Sequence, residues 1–526
     1  MKIKKIISEF LHNIIKCKNP DDLLSQSQKA GLAKSLTAVD LIILGIGAIV
    51  GSGIFAIVGI AAVGSSASPG AGPALSISMI VAAFACIFSA LCYSEFATMI
   101  PVAGGAYTYT FATLGELGAW MVGWMLMLEY AIGFIAVACA WSNHFMQFLK
   151  GFSDFLPAWL VNPPVWMVND VKSAVRIVEE NGLDVATSIP TIGSVPFAIN
   201  IPAIVIILLS TMILIRGTKD STKMAGIMVA VKMAVIALFV LVGVFYVKPE
   251  NWVPFAPNGV EGIFAGAFII FFAYIGFDAI ATTAEETKNP QKDLPIGIIG
   301  SLILTTVIYV AVALVLTGVY PTSGAVNSEF VKAPMAFVMQ MIGHDWAAGL
   351  ISIGSLAGLT SVLLVMELAA TRILYAMSRD NFISRKFQVL HPKFKTPHVL
   401  TWTVAIICVL STFFLDLGVA AELCNFGTFT SFIIVCVAVL ILRKTDPKRH
   451  RPFKVPFSPW FPLAGIVCCM FLMSMKLQEQ SDSAILFPLW IAVGLVIYFG
   501  YGYKKNRLIE QEEKKFVVQQ KENVEV

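Results

Sequence analysis

Long apolar runs alternate with short polar loops along almost the whole chain. A helix needs roughly 20 mainly apolar residues to cross a bilayer. Runs of that kind predict spans 1 to 6 at 38–63, 73–99, 115–147, 195–215, 221–247 and 260–282. Spans 7 to 12 follow at 294–318, 345–378, 398–414, 420–443, 458–475 and 485–503. The expected fold is an all-α integral membrane protein with twelve transmembrane helices. Lysine and arginine are unevenly shared between the loops, which sets orientation. With the N-terminus in the cytoplasm, the inner loops carry Arg216, Lys219 and Lys223, then Arg385 and Lys386, then Arg443, Lys444, Lys448, Arg449, Arg451 and Lys454. The outer side keeps Lys150, Lys172, Arg176, Lys248, Lys332 and Lys476. Both termini are therefore expected inside, with a polar arm at 1–37 and a tail at 504–526. One external insertion, 149–194, holds Pro157, Pro163 and Pro164, and its mixed stretch from Asp170 to Asn181 suits a surface helix.

Composition agrees with this pattern. Of 526 residues, 57% are hydrophobic and 13% charged, and the mean hydropathy is +0.80. Soluble domains carry about 25% charged residues, so lipid must cover most of this surface. A net charge of +4 gives no reason to expect nucleic acid as a partner. Eight of the nine cysteines fall in apolar runs, without a Cys-x-x-Cys pair, and read as packing residues rather than disulfides or metal ligands. The first forty residues are polar and lysine-rich, unlike a signal peptide.

Two spans depart from the apolar pattern. Span 1 reads Leu44-Gly45-Ile46-Gly47-Ala48-Ile49-Val50-Gly51-Ser52-Gly53-Ile54-Phe55, with four glycines in nine residues. Each glycine costs a helix about 1 kcal/mol relative to alanine. Gly47 and Gly51 make a small-xxx-small pair that would serve close packing. The alternative is a helix broken at Gly51-Ser52-Gly53, presenting free N–H groups to a carboxylate and free carbonyls to an ammonium. Span 6 reads Phe271-Phe272-Ala273-Tyr274-Ile275-Gly276-Phe277-Asp278, again with a glycine and here an aspartate at mid-span. Interruptions at corresponding places in two five-helix halves, 38–247 and 248–443, point to an inverted-repeat carrier. Two broken helices suit an amino acid, which carries both charges on one carbon. Residues 444–503 would then add two extra transmembrane helices.

Ionisable groups inside spans are functional candidates because burying them is expensive. Glu129 and Lys232 lie near the middles of spans 3 and 5. Lys232 has no acid one helical turn away, and from mid-span it cannot snorkel to either interface. An isolated amine of this kind can gain and lose a proton, as proton coupling requires. Glu129 serves either the same chemistry or a hydrogen-bonded core. Glu367, on span 8, either lines an inner vestibule or pairs with Arg372. Asp278, Glu285, Glu286 and Asp293 are candidates for an inner gate or for a solvated charge cluster, and so is Glu95.

Three stretches resemble amino acid permeases of the amino acid–polyamine–organocation superfamily, nearest its cationic amino acid transporter branch in bacterial form. They are Gly45 to Phe55, Pro101-Val102-Ala103-Gly104-Gly105-Ala106-Tyr107-Thr108-Tyr109, and Gly276-Phe277-Asp278 through Glu285-Glu286-Thr287-Lys288-Asn289-Pro290. The resemblance covers roughly 30–505. It implies a five-plus-five inverted repeat followed by two helices, and secondary active import of amino acids across the cytoplasmic membrane. It puts Lys232 where sodium-coupled cousins bind an ion, so that a proton is the coupling ion and no other cofactor is needed. The substrate carboxylate would meet the amides of Ser52 and Gly53, next to Gly51. Its amine would meet carbonyls near Ile49 and along Phe271, Phe272, Ala273 and Ile275, with Phe272 as a lid. Glu129 matches a span-3 acid of the bacterial branch. Met366 matches a pocket position that is small in carriers of long cationic substrates, and so favours small neutral amino acids. Glu367 beside it is a departure that instead favours a cationic side chain.

A channel would need a continuous polar pore, whereas polarity here gathers at two interruptions. An intramembrane enzyme would need a motif such as His-Glu-x-x-His or Gly-x-Ser-x-Gly, and the sequence has neither. An amino acid or polyamine exchanger of the same fold remains the alternative to proton symport. The sequence points to an amino acid and the bilayer as partners, and to no particular protein partner or oligomer.

Overall fold

A computed structural model describes residues 17–18, 34, 36–64, 68–102, 105–193, 195–216, 221–322, 327–394, 396–478 and 481–507. Most of the arm and tail, Ala103, Gly104 and Lys219, together with the side chains of Lys223, Glu285 and Arg385, lie outside the described residues.

Nine helices among the described residues are long and apolar enough to cross a membrane. They are Gly72–Met99, Gly115–Lys150, Gly226–Tyr246, Gly259–Ala284, Pro290–Val319, Asp345–Arg379, Leu417–Thr445, Trp460–Gln478 and Asp482–Arg507. A tenth is counted if Ala38–Ile49 and Gly53–Val63, bent by 44° at their junction, form one span. Spans 4 and 9 correspond to shorter apolar helices, Ile201–Arg216 and His398–Ser411, of 16 and 14 residues.

Local chemistry sets the ends. Thr37 caps span 1 in a reciprocal box with Asp40, each side chain answering the other's backbone amide. Span 7 opens with proline at its first position, Pro290, where no amide is needed. Asp416 caps span 10 by accepting from the Val419 amide at 2.9 Å, and Arg443 and Lys444 occupy that helix's last turn, opposite in charge to its dipole.

Packing divides the spans into two groups. Span 7 lies along spans 1 and 2, and the first half of span 6 also packs on span 2. Span 3 instead packs on spans 4 and 8, and span 9 on spans 4 and 8. Span 5 bridges the groups through spans 8, 7 and 1.

The external insertion folds around its own small core. Its mixed stretch forms the helix Val171–Glu180, N-capped by Asp170. Ala174 and Val178 on that helix pack with Ile189 and Ala198. A two-stranded hairpin pairs Thr191 with Pro196 and Ile192 with Val195. The unit is docked, not free: the Val171 amide donates to Phe413 at the end of span 9, and Lys172 pairs with Asp482 at the start of span 12. An unforeseen short helix, Gly105–Thr113, follows span 2.

Candidate functional site

Span 1 stops being helical where its glycines predict. The α-helix ends at Ile49, Val50 is extended, and Gly53–Ile57 forms a π turn. The first amides of such a turn lack partners within the helix, and Ser52 and Gly53 stand there, with Ser52 only 2% exposed. The four glycines also explain the crowding. A Cβ on Gly45 would strike Ser301 of span 7, one on Gly47 Val229 of span 5, and one on Gly51 Val362 of span 8. On Gly53 it would sit 2.2 Å from the Ala273 Cα. Packing and interruption, weighed as rival readings of the sequence, coexist: the same glycines let four neighbours close on one break.

Span 6 is interrupted opposite. Its α-helix gives way to a tight turn at Phe271–Tyr274, Ile275 is extended, and Gly276 has φ +118°. Side chains rarely adopt that region, and a Cβ on Gly276 would approach the Ala48 carbonyl oxygen to 3.0 Å. Tyr309 of span 7, fully buried, ties the breaks together, its hydroxyl lying 3.1 Å from the Ile49 oxygen and 2.9 Å from the Ala273 oxygen. Those are carbonyls that the resemblance assigned to the substrate amine. Ile49, Ser52, Phe272, Ala273 and Ile275 are all buried, so the breaks are shut off from solvent. Phe271 packs against Phe429 of span 10, the ring centroids 4.0 Å apart and the planes tilted by 33°.

Lys232 reaches the first break from span 5. Its ammonium donates to the Gly47 oxygen at 2.5 Å and the Val50 oxygen at 2.7 Å, both on the stretch where span 1 unwinds, and lies 3.4 Å from the Ser361 hydroxyl of span 8. Its stem passes Gly358, where a Cβ would stand 3.3 Å from it. No carboxylate stands within ion-pairing distance among the described residues.

The acids separate. Glu129 lies on a π turn in span 3, Leu128–Ile132, fully buried, and among the described residues its oxygens have no geometrically formed hydrogen bond. Asp278 accepts from Tyr130, Glu129's neighbour, and the two carboxyls are near enough to feel each other's charge. Glu367 is not brought to the breaks. It accepts from Ser210 at 3.0 Å and Thr211 at 2.6 Å, both on span 4, so the expected pairing with Arg372 is replaced by hydroxyls. Met366, next to it, packs on Gly133 of span 3, whose added Cβ would meet the sulfur at 2.9 Å. At the inner end of span 6 the Glu286 carbonyl accepts the Leu36 amide at 3.0 Å, while Asp293 accepts the Asn289 amide at 3.3 Å. Glu95 belongs to neither reading: it is buried and paired with Arg443 and Arg451.

Tyr309 and Tyr130 were missed in the sequence. A tyrosine in an apolar run reads as a core aromatic, and only the threonines Thr305 and Thr306 beside Tyr309 hinted at polarity there.

A multi-pass membrane protein whose two interrupted spans meet, with a buried lysine on the break of the first, is what this geometry defines. Residues 36–499 match the model of the family described as amino acid permease. A methylthioribose transporter of Bacillus subtilis is 42% identical over 95% of this chain and all of its own length. A branched-chain amino acid permease of the same organism is 41% identical over 94% of this chain and 99% of its own. More distantly, cationic amino acid transporter 9 of Arabidopsis thaliana, chloroplastic, is 34% identical over 84% of this chain and 72% of its own. The chain belongs to the amino acid permease family. Its relatives are named transporters and permeases, and it is not an enzyme.

Proposed function

We propose that this protein is a proton-coupled importer of small neutral amino acids with aliphatic side chains, bound between the two breaks. One observation carries the reading: a buried ammonium with no carboxylate partner among the described residues is wired to the carbonyls freed by the break in span 1. Losing its proton would loosen those bonds and so change the shape of the site, which is how a proton gradient can drive a carrier. The fold supports the finer architecture, in which twelve spans are reached by counting the bent pair and both shorter helices. Packing of span 3 on span 8, like the facing breaks of spans 1 and 6, supports the inverted repeat. In this reading both termini are cytoplasmic.

The neutral substrate follows from Glu367 and Met366, which pulled in opposite directions in the sequence. Glu367's carboxyl is engaged by span 4, leaving the thioether of Met366 as the pocket-side group. The branched-chain permeases among the relatives support this choice. A second reading is a neutral solute bearing a methylthio group, favoured by the similarity to the methylthioribose transporter.

Uptake by purified protein in liposomes with an inward proton gradient tests the reading. Leucine, isoleucine or valine should accumulate, and arginine should not. The Lys232→Ala variant should stay folded but lose accumulation. Normal accumulation by that variant overturns proton coupling. Uptake that occurs solely against preloaded amino acid makes the protein an exchanger, and uptake of methylthioribose alone selects the second reading.

A further inference from the structure

The linker between spans 10 and 11 is folded onto a buried acid and leaves a basic cavity beside it. Glu95, 1% exposed, receives the Arg443 Nε at 3.0 Å, a second Arg443 nitrogen, and the Val455 amide at 2.8 Å. Arg451 adds an ion pair to Glu95 at 3.4 Å and donates to the carbonyls of Asp446 and Arg449 at 2.8 and 2.9 Å. These two arginines are thus consumed in shaping the linker. Lys448 and His450 are exposed and form no ion pair among the described residues. Arg449 pairs with Asp446.

A cavity of about 460 Å³ opens at this point, lined by Thr98 and Met99 at the end of span 2, Gln291 at the start of span 7, and Asp446, Lys448, Arg449, His450 and Pro452 of the linker. Its rim is cationic and its wall offers a hydrogen-bond donor in Gln291. Just beyond, Phe457 and Trp460 are 75% and 72% exposed, and span 11 continues with exposed Leu463, Val467 and Met470. Large aromatics in that setting mark the level where hydrocarbon gives way to headgroups. The linker that lines the cavity thus enters span 11 at headgroup depth.

We infer that this cavity binds the phosphate headgroup of an anionic phospholipid, with Lys448 and His450 as its principal contacts. Basic pockets at the ends of transmembrane helices attract such headgroups. The occupant is a lipid, not a soluble anion, because the linker that lines the cavity runs within a few residues into exposed aromatics and the exposed apolar residues of span 11, which suit acyl chains. The inference does not depend on the substrate or on proton coupling.

The test uses the full-length protein in neutral detergent, following its thermal unfolding as phosphatidylglycerol, phosphatidylcholine, inorganic phosphate or glycerol 3-phosphate is added. A ligand that binds the folded state raises the midpoint. Phosphatidylglycerol should raise it and phosphatidylcholine should not. In the Lys448→Gln/His450→Gln double variant, the phosphatidylglycerol needed for half the shift should rise by at least about fivefold, the loss expected for one surface cation. Lys444→Gln, in the last turn of span 10 and outside the cavity lining, should change it less than twofold. A wild-type protein indifferent to phosphatidylglycerol overturns the site, as does a double variant that responds like wild type. An equal loss in Lys444→Gln reduces it to diffuse charge, and a full shift from inorganic phosphate overturns the lipid as occupant.

Discussion

At the scale of single residues, the breaks depend on groups that no other side chain can replace. Gly276→Ala puts a Cβ into a left-handed residue and against the Ala48 carbonyl, so strain and clash act together. Uptake should fall by more than tenfold in liposomes, while circular dichroism still reports a helical protein. Tyr309→Phe removes a hydroxyl that links the breaks, a loss on the order of 1 kcal/mol. It should lower the thermal unfolding midpoint by a few degrees and raise the KM for substrate. Glu367 offers the opposite case. Glutamine keeps the shape, accepting from one of the Ser210 and Thr211 hydroxyls and donating to the other, so Glu367→Gln should leave the order of preferred amino acids unchanged in competition assays. A shift of preference away from cationic amino acids would return this residue to the substrate pocket.

At the scale of elements, helix ends are where the sequence is most easily tested. Burial beside the insertion holds the Asp416 carboxyl above the usual aspartate range, against the Val419 and Gly418 amides and Arg176, which pull it down; Asp170 adds to the rise. A raised value in the folded state means stability that is present at low pH and lost as pH climbs through that value. Asn is an equally good cap without the charge. Asp416→Asn should therefore unfold at a higher temperature than wild type at pH 7, with the difference closing as pH approaches 4. Much of this level was legible in advance, because apolar length, glycine content and mixed polarity are local properties. Nine of the expected spans match helices long and apolar enough to cross a membrane among the described residues, and both breaks and the Asp170 to Asn181 helix were legible from the same properties. Partners across the bundle were not legible. Lys232 was singled out because it had no acid on its own helix, yet its actual partners are carbonyls on span 1, which leave no mark in residue identity. Glu95, read as a gate or surface acid, is held by arginines about 350 positions further along the chain.

For the molecule as a whole, Glu95 ties the end of span 2 to span 10 and to the linker that leads into the last two helices. Removing one member of a buried ionic cluster strands the others and costs about 3–5 kcal/mol. Glu95→Gln should lower the detergent unfolding midpoint more than Lys172→Ala, whose half-exposed pair with Asp482 contributes at most about 1 kcal/mol. The ammonium of Lys232 has a consequence of another kind. A carrier that borrows a metal ion from the medium works at the rate its surroundings supply that ion. Here the positive charge at the break is tethered by its own side chain, so its local concentration is fixed by covalent bonds and cannot be diluted. On the proton-coupled reading proposed above, the transporter should thus be indifferent to its salt bath: replacing external sodium with choline should leave initial uptake rates unchanged, while collapsing the acid gradient should stop accumulation.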